Sequence, residues 1–145
     1  MCKPAIALEF RKVISLEEIT CMNLNQVTVP VLNVDKAIGF YEKLGLKLIV
    51  KSTPHYARFE CPDGSSTFSL HRVDSLPMGQ GVWIYFEMKE LDSYIDSIIE
   101  KGIEVEELPN NKPWLWRESR LKDLDGNQII FYFAGDNRLN PPWRI

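Results

Sequence analysis

The sequence predicts an α+β fold made of two tandem βαβββ modules, and three observations predict it. The chain repeats itself at an offset of 57 residues, laying Gln26-Val-Thr-Val-Pro-Val31 over Trp83-Ile-Tyr-Phe-Glu-Met88 without a gap. Each copy then passes from an alternation of period two to a helical period that ends on a glycine, Gly45 or Gly102. Each copy also closes on an Asp-Gly turn that feeds an apolar strand. The modules are expected at about 24–73 and 82–134, inside a domain spanning 24–134, after an extension of 1–23 and before a tail of 135–145.

The elements follow in order. In the first strand Val27, Val29 and Val31 share one face. Val34, Ala37, Ile38, Tyr41 and Leu44 then recur at helical spacing, with Asn33 as N-cap and Gly45 suited to the left-handed closing position. Strands are expected over 46–51, from His55 and Tyr56 onward, and over 67–73 after the Pro62-Asp-Gly64 turn. In the second copy a strand over 83–88 precedes a helix marked by Leu91, Tyr94, Ile95 and Ile98. Strands then follow over 103–107, over 114–120 and, after Leu124-Asp-Gly126, over 128–133. The turn glycines lie 62 residues apart instead of 57, and the surplus is assigned to a loop over 109–113.

Bulk properties narrow the function. Hydrophobic residues make up 45% and charged residues 26% of 145, enough for one domain with a substantial core. A net charge of −3 with no basic stripe argues against nucleic acid. No apolar run reaches the length of about 18 residues that a membrane helix needs, so no membrane partner is expected. Cys2, Cys21 and Cys61 are odd in number, far apart and without a Cys-x-x-Cys pair, which fits a reducing, cytoplasmic compartment. The N-terminus, interrupted by Glu9, makes a poor signal peptide.

The string from Gln26 through Tyr41 to Leu46 resembles the first module of the glyoxalase/bleomycin-resistance/extradiol-dioxygenase, or vicinal oxygen chelate, superfamily. Asp123-Leu-Asp-Gly-Asn-Gln-Ile-Ile130 is similar to the motif that opens the last strand of those proteins. The resemblance covers about residues 24–134. It implies a cup-shaped mixed sheet with helices outside, a small molecule bound within, and frequent homodimers. Metal-dependent members place His, Gln or Glu on the first and last strands.

Sorting the strands by parity gives two faces. Val27, Val29, Val31, Phe68, Leu70, Ile84, Phe86, Met88, Ile129, Phe131 and Phe133 should pack under the helices. The opposite face carries Gln26, Thr28, Ser69, His71, Trp83, Tyr85, Glu87, Ile130 and Tyr132, and flat side chains with polar tips suit a ligand cavity. A subunit interface or second core would use the same residues. Candidate ligand-binding residues are therefore Gln26, Thr28, Ser69, His71, Trp83, Tyr85, Trp116, Arg120 and Tyr132. Arg120 has two readings, a bidentate anchor for a ligand anion or a partner of Glu118.

At the positions where the resemblance expects metal ligands stand Gln26, Trp83, Ile130 and, by face pattern, Ser69; a count from the turn glycines gives Phe68 instead. Trp83 and Ile130 have no lone pair to offer. No metal and no cofactor is expected, although Gln26, His71 and Glu87 share a parity from which a displaced site could be assembled. His71 is the candidate catalytic residue, as a general acid or base. The expected function is a metal-free small-molecule binder. The rivals are a related lyase, isomerase or dioxygenase-like enzyme using a shifted metal or His71, and an interaction module meeting protein. In the flanks, Ser15-Leu-Glu-Glu18 suggests a short helix near Leu16, and Trp143 is expected to dock on its own domain or on a second copy.

Overall fold

The computed structural model describes residues 22–145, so the suggested helix near Leu16, with Cys2 and Cys21, lies outside the described residues. The first module runs β1 (Gln26–Val31), α1 (Val34–Lys43), β2 (Lys47–Ser52), β3 (Tyr56–Glu60) and β4 (Thr67–Arg72). The second runs β5 (Trp83–Glu87), α2 (Leu91–Glu100), β6 (Glu107–Asn111), β7 (Arg117–Lys122) and β8 (Gln128–Phe133). A single 3₁₀ turn over Gly135–Asn137 follows. Both modules have the same topology, β1-β4-β3-β2 and β5-β8-β7-β6, with the first and last strands parallel and the rest antiparallel. The predicted pair of βαβββ units is what forms, as two mixed four-stranded sheets.

Local chemistry sets the boundaries. The Asn33 side chain accepts from the Lys36 amide at 3.0 Å and satisfies one of the free donors at the start of α1. Gly45 and Gly102 take φ of +100° and +87°, which a side chain would disfavour, and so end each helix in the same way. The expected faces hold for most of their length. Val29, Val31, Phe68, Leu70, Ile84, Ile129 and Phe131 are buried under α1 and α2 with Tyr41, Ile95 and Ile98. Phe133, at the strand end, is 38% exposed.

One expectation is corrected. The loop assigned to 109–113 is largely strand, because β6 occupies Glu107–Asn111 and the strand expected over 103–107 begins only at its last residue. Pro109 cannot donate to a ladder, but β6 is the sheet edge and its register shifts between Glu107 and Asn110, so no amide is missed. The surplus residues of the second copy instead lie ahead of β6.

The two modules share one core, and a buried junction ties them. Tyr41 on α1 donates to Asp123 Oδ2 at 2.5 Å across 82 residues of sequence. The Asn127 amide donates to the same oxygen at 2.8 Å and to Pro30 O at 3.1 Å. The backbone amides of Asp125 and Asn127 close on Asp123 Oδ1 at 2.9 Å each. Leu32 N donates to Asp125 Oδ1 at 2.9 Å, and Tyr94 on α2 donates to Leu44 O at 2.8 Å. Asp123 thus saturates both carboxylate oxygens while 7% exposed, as burial demands.

Tyr41→Phe removes one donor from this buried carboxylate and should cost about 1–3 kcal/mol in denaturant unfolding. Burial foremost, then the charge of Asp123, pushes the Tyr41 phenol far above its ordinary pKa, and burial does the same to Tyr94. Unfolding releases both phenols to ionise near pH 10, so stability is intact below about pH 10 and falls as pH rises beyond it. Melting temperatures recorded from neutral to alkaline pH should show this fall, and it should flatten in the Tyr41→Phe, Tyr94→Phe double variant.

Candidate functional site

Each sheet has a second face that no helix covers. On the first, strand register brings Thr28 beside Ser69, Ser69 beside Arg58, and His71 beside Tyr56. A chain of hydrogen bonds runs over this face. Arg58 Nε donates to the Tyr56 hydroxyl at 2.9 Å, the Tyr56 hydroxyl donates to Ser69 Oγ at 2.8 Å, and Thr67 donates to Gln26 Oε1 at 2.9 Å. Partial burial pushes the Tyr56 phenol upward. The hydrogen bonds of Ser69, Arg58 and Gln26 and the Arg58 charge outweigh that effect and hold its pKa below the ordinary value.

The second sheet carries aromatic side chains on the equivalent face. Trp116 stacks on Tyr132 with centroids 4.5 Å apart and planes 19° apart, and Tyr85 meets both rings edge-on at 6.1 and 5.8 Å. Arg120 lies over Trp83 at 5.3 Å, donates to Glu118 Oε2 at 3.0 Å, and turns its Nε toward Glu107 Oε2 at 3.5 Å. Of the two readings of Arg120, the intramolecular pairing is the one formed. Glu118 is nearly inaccessible and also accepts from Trp114 Nε1 at 2.6 Å. Lys112 donates to Glu107, and that bond with one from Asn110 holds the Glu107 carboxyl below the usual carboxylate range. Leu115 sits between the tryptophans at φ +66°, a strained conformation for a branched side chain.

At the seam between the sheets lies a cleft of about 550 Å³. Gln26 and Thr67 line it from the first module, and Tyr85, Glu87 and Tyr132 from the second. Phe68, Phe86 and Met88 form its floor and Arg138 of the tail its rim. The volume suits a small organic ligand. Of the sequence candidates, Gln26, Tyr85 and Tyr132 converge here, and Trp116 stands directly behind Tyr132. Thr28, Ser69, His71, Trp83 and Arg120 do not line it: Ser69 is fully buried beneath Tyr56, while Thr28 and His71 are exposed on the open sheet. Sequence reasoning passed over Tyr56, Arg58 and Arg138. The signal for the first two was their alternation on a strand beside Ser69 and His71.

Register also resolves the positions where relatives hold a metal. Thr28 pairs with Ser69 as Tyr85 pairs with Ile130, so Ser69, not Phe68, is the counterpart of Ile130. The four positions are therefore Gln26, Ser69, Trp83 and Ile130, of which the last two lack a donor atom. The displaced set fails on geometry. His71 is in register with Pro30, four residues from Gln26, which at about 3.3 Å per residue separates them by roughly 13 Å. Glu87 is engaged elsewhere, accepting from Ala134 N and Gly135 N at 3.1 and 3.0 Å and facing Arg138 Nε at 3.4 Å. These residues do not fit a shared cation. Among the described residues, no other group of three or more His, Cys, Asp or Glu does.

Trp143 is 56% exposed, so it does not bury itself on its own domain. None of the described helices is long and apolar enough to cross a membrane.

The model of the Glyoxalase/Bleomycin resistance protein/Dioxygenase superfamily matches residues 23–131. The chain belongs to that superfamily. Solved structures of similar fold include a glyoxalase/bleomycin resistance protein/dioxygenase from Nocardioides, with 21% identity, 80% of this chain and 85% of that one covered, and a TM-score of 0.67. A superfamily member from Sphaerobacter thermophilus has 20% identity over 79% of this chain and 99% of its own, with a TM-score of 0.65. TioX from Micromonospora sp. ML1 has 15% identity, covers 78% of this chain and 99% of its own, and has a TM-score of 0.64. At these identities the likeness is one of superfamily fold. No curated protein matches the sequence.

Arg120→Ala should leave Glu118 charged, buried and short of a partner. It should cost about 2–3 kcal/mol, less than a fully buried pair because a quarter of the Arg120 side chain stays exposed. Adding Glu118→Gln should recover part of that loss in urea unfolding, whereas a loss unchanged by the second substitution contradicts the pairing.

Proposed function

We propose that the protein binds a small planar molecule in the seam cleft and holds it without a divalent metal. The observation that carries this reading is the convergence of Tyr85, Tyr132 and Gln26 on one cavity, with Trp116 stacked behind as a rigid wall. Aromatic side chains supply much contact area for little lost conformational freedom, and one amide is enough to orient a bound ring. At the strand positions where metal-dependent relatives carry ligands, this chain offers Trp83 and Ile130, so the polarising role of a metal has no support here. His71, on the open sheet away from the cleft, is not assigned a catalytic role.

A homodimer belongs to the same reading. Trp83 is 42% and Tyr85 44% exposed, and Trp143 and Ile145 of the tail are more exposed still. A second copy covering these side chains would remove that apolar surface from water. A reducing, cytoplasmic compartment is proposed with it, supported by the lone cysteines. Burial pushes the Cys61 thiol above its ordinary pKa and leaves it a weak nucleophile.

Naphthamide titrated into the protein should quench tryptophan fluorescence, and Tyr85→Ala should weaken its binding about tenfold. Absence of quenching by naphthamide and by other planar compounds, alongside a stable complex with a protein, would favour the interaction-module reading instead. Metal analysis of protein purified without chelator or affinity tag should find far less than one equivalent of Ni, Zn, Fe or Mn. One equivalent per chain, lost in Gln26→Ala, would overturn the metal-free assignment.

A further inference from the structure

We propose that Arg58, positioned by Tyr56, forms an acid-recognition subsite at the end of the seam cleft, so that the ligand is a planar aromatic carboxylic acid. The inference rests on the cleft reading above and names the class of molecule that the cleft would take.

Arg58 stands out by comparison with the other arginines of the domain. Arg72 pairs with Asp74, Arg117 with Asp92, Arg120 with Glu118, and Arg138 with Glu87. Arg58 has no Asp or Glu within ion-pair reach among the described residues. It is half-buried on β3, on the face that no helix covers. Its Nε is committed to the Tyr56 hydroxyl at 2.9 Å, and its guanidinium carbon lies 5.5 Å from the Tyr56 ring centroid. Tyr56 is fixed in turn by its bond to the fully buried Ser69. The guanidinium is therefore held from one side while its terminal nitrogens keep their donors, an arrangement that lowers the entropy lost when a fork of donors meets a planar acceptor.

Gln26 connects this group to the cleft. It lines the cavity opposite Tyr85 and Tyr132, and its side chain also lies within hydrogen-bond reach of the Tyr56 phenol. A ring seated against the tyrosines would extend a substituent past Gln26 toward Arg58. One guanidinium matches the two oxygens of a carboxylate. Glu87 and Asp63 at the cleft disfavour a doubly charged phosphate, because each adds repulsion to its second charge.

Calorimetric titration of the full chain with naphthoate, naphthamide and naphthyl phosphate tests this. In the unaltered protein naphthoate should bind about tenfold more tightly than the amide, the worth of one charge-assisted pair at a partly exposed site. Arg58→Gln should bring the two to equal affinity with the amide unchanged. Arg58→Lys, which keeps the charge and loses the fork, should retain only part of the preference, and Tyr56→Phe should do likewise. Equal binding of acid and amide by the unaltered protein, or a preference that survives Arg58→Gln, overturns the subsite and leaves the cleft standing. Tighter binding of the phosphate overturns the choice of carboxylate. If none of the three binds, the cleft reading falls as well.

Discussion

Asp123 is the point on which the two halves of the molecule converge, and the rest of the structure depends on it. Its carboxylate is almost out of contact with water, which costs several kcal/mol unless every lone pair is used. The chain meets that demand with donors from both modules: the Tyr41 hydroxyl of α1 on one side, and Asn127 with two amides of its own turn on the other. Because Asn127 also reaches Pro30 O, the end of β1 is fastened to the start of β8. The Asp-Leu-Asp-Gly-Asn string is thus a latch as well as a turn.

What the latch positions is the seam. With β1 and β5 held near one another, the first residue of one sheet and the last of the other border the same space, and Gln26 comes to face Tyr85, Glu87 and Tyr132. The division of labour then follows from strand alternation. One face of each sheet is used up in the common core, so chemistry can appear only on the other. The first module fills that face with a hydrogen-bonded polar chain and the second with stacked rings. The repeat supplies the scaffold twice, and divergence of its open faces supplies two kinds of wall.

Much of this was legible in the sequence, for a physical reason. Periods of 2.0 and 3.6 residues survive in a single chain, so Gln26–Val31, Gln128–Phe133 and both glycine stops could be read directly. Pro109 misled because a proline suggests a loop, and only sheet order reveals that its strand is an edge. Parity likewise separated the open face from the core face. It could not say which polar side chains were already satisfied. Glu87 is spent on amides 47 and 48 residues away, and Arg120 on a carboxylate whose burial no local pattern announces. Such commitments depend on distant contacts, and the displaced metal set failed on them and on the separation of Gln26 from His71.

The central claim is that the seam, between a polar wall and an aromatic one, is where a ligand sits. Backbone amide shifts followed by NMR during addition of naphthoate test it most directly. The account predicts that the perturbed amides gather at Gln26, Thr67, Tyr85, Glu87 and Arg138, with Tyr56 and Arg58 following. Shifts confined to the outer surfaces of α1 and α2, or scattered evenly over the chain, would contradict it.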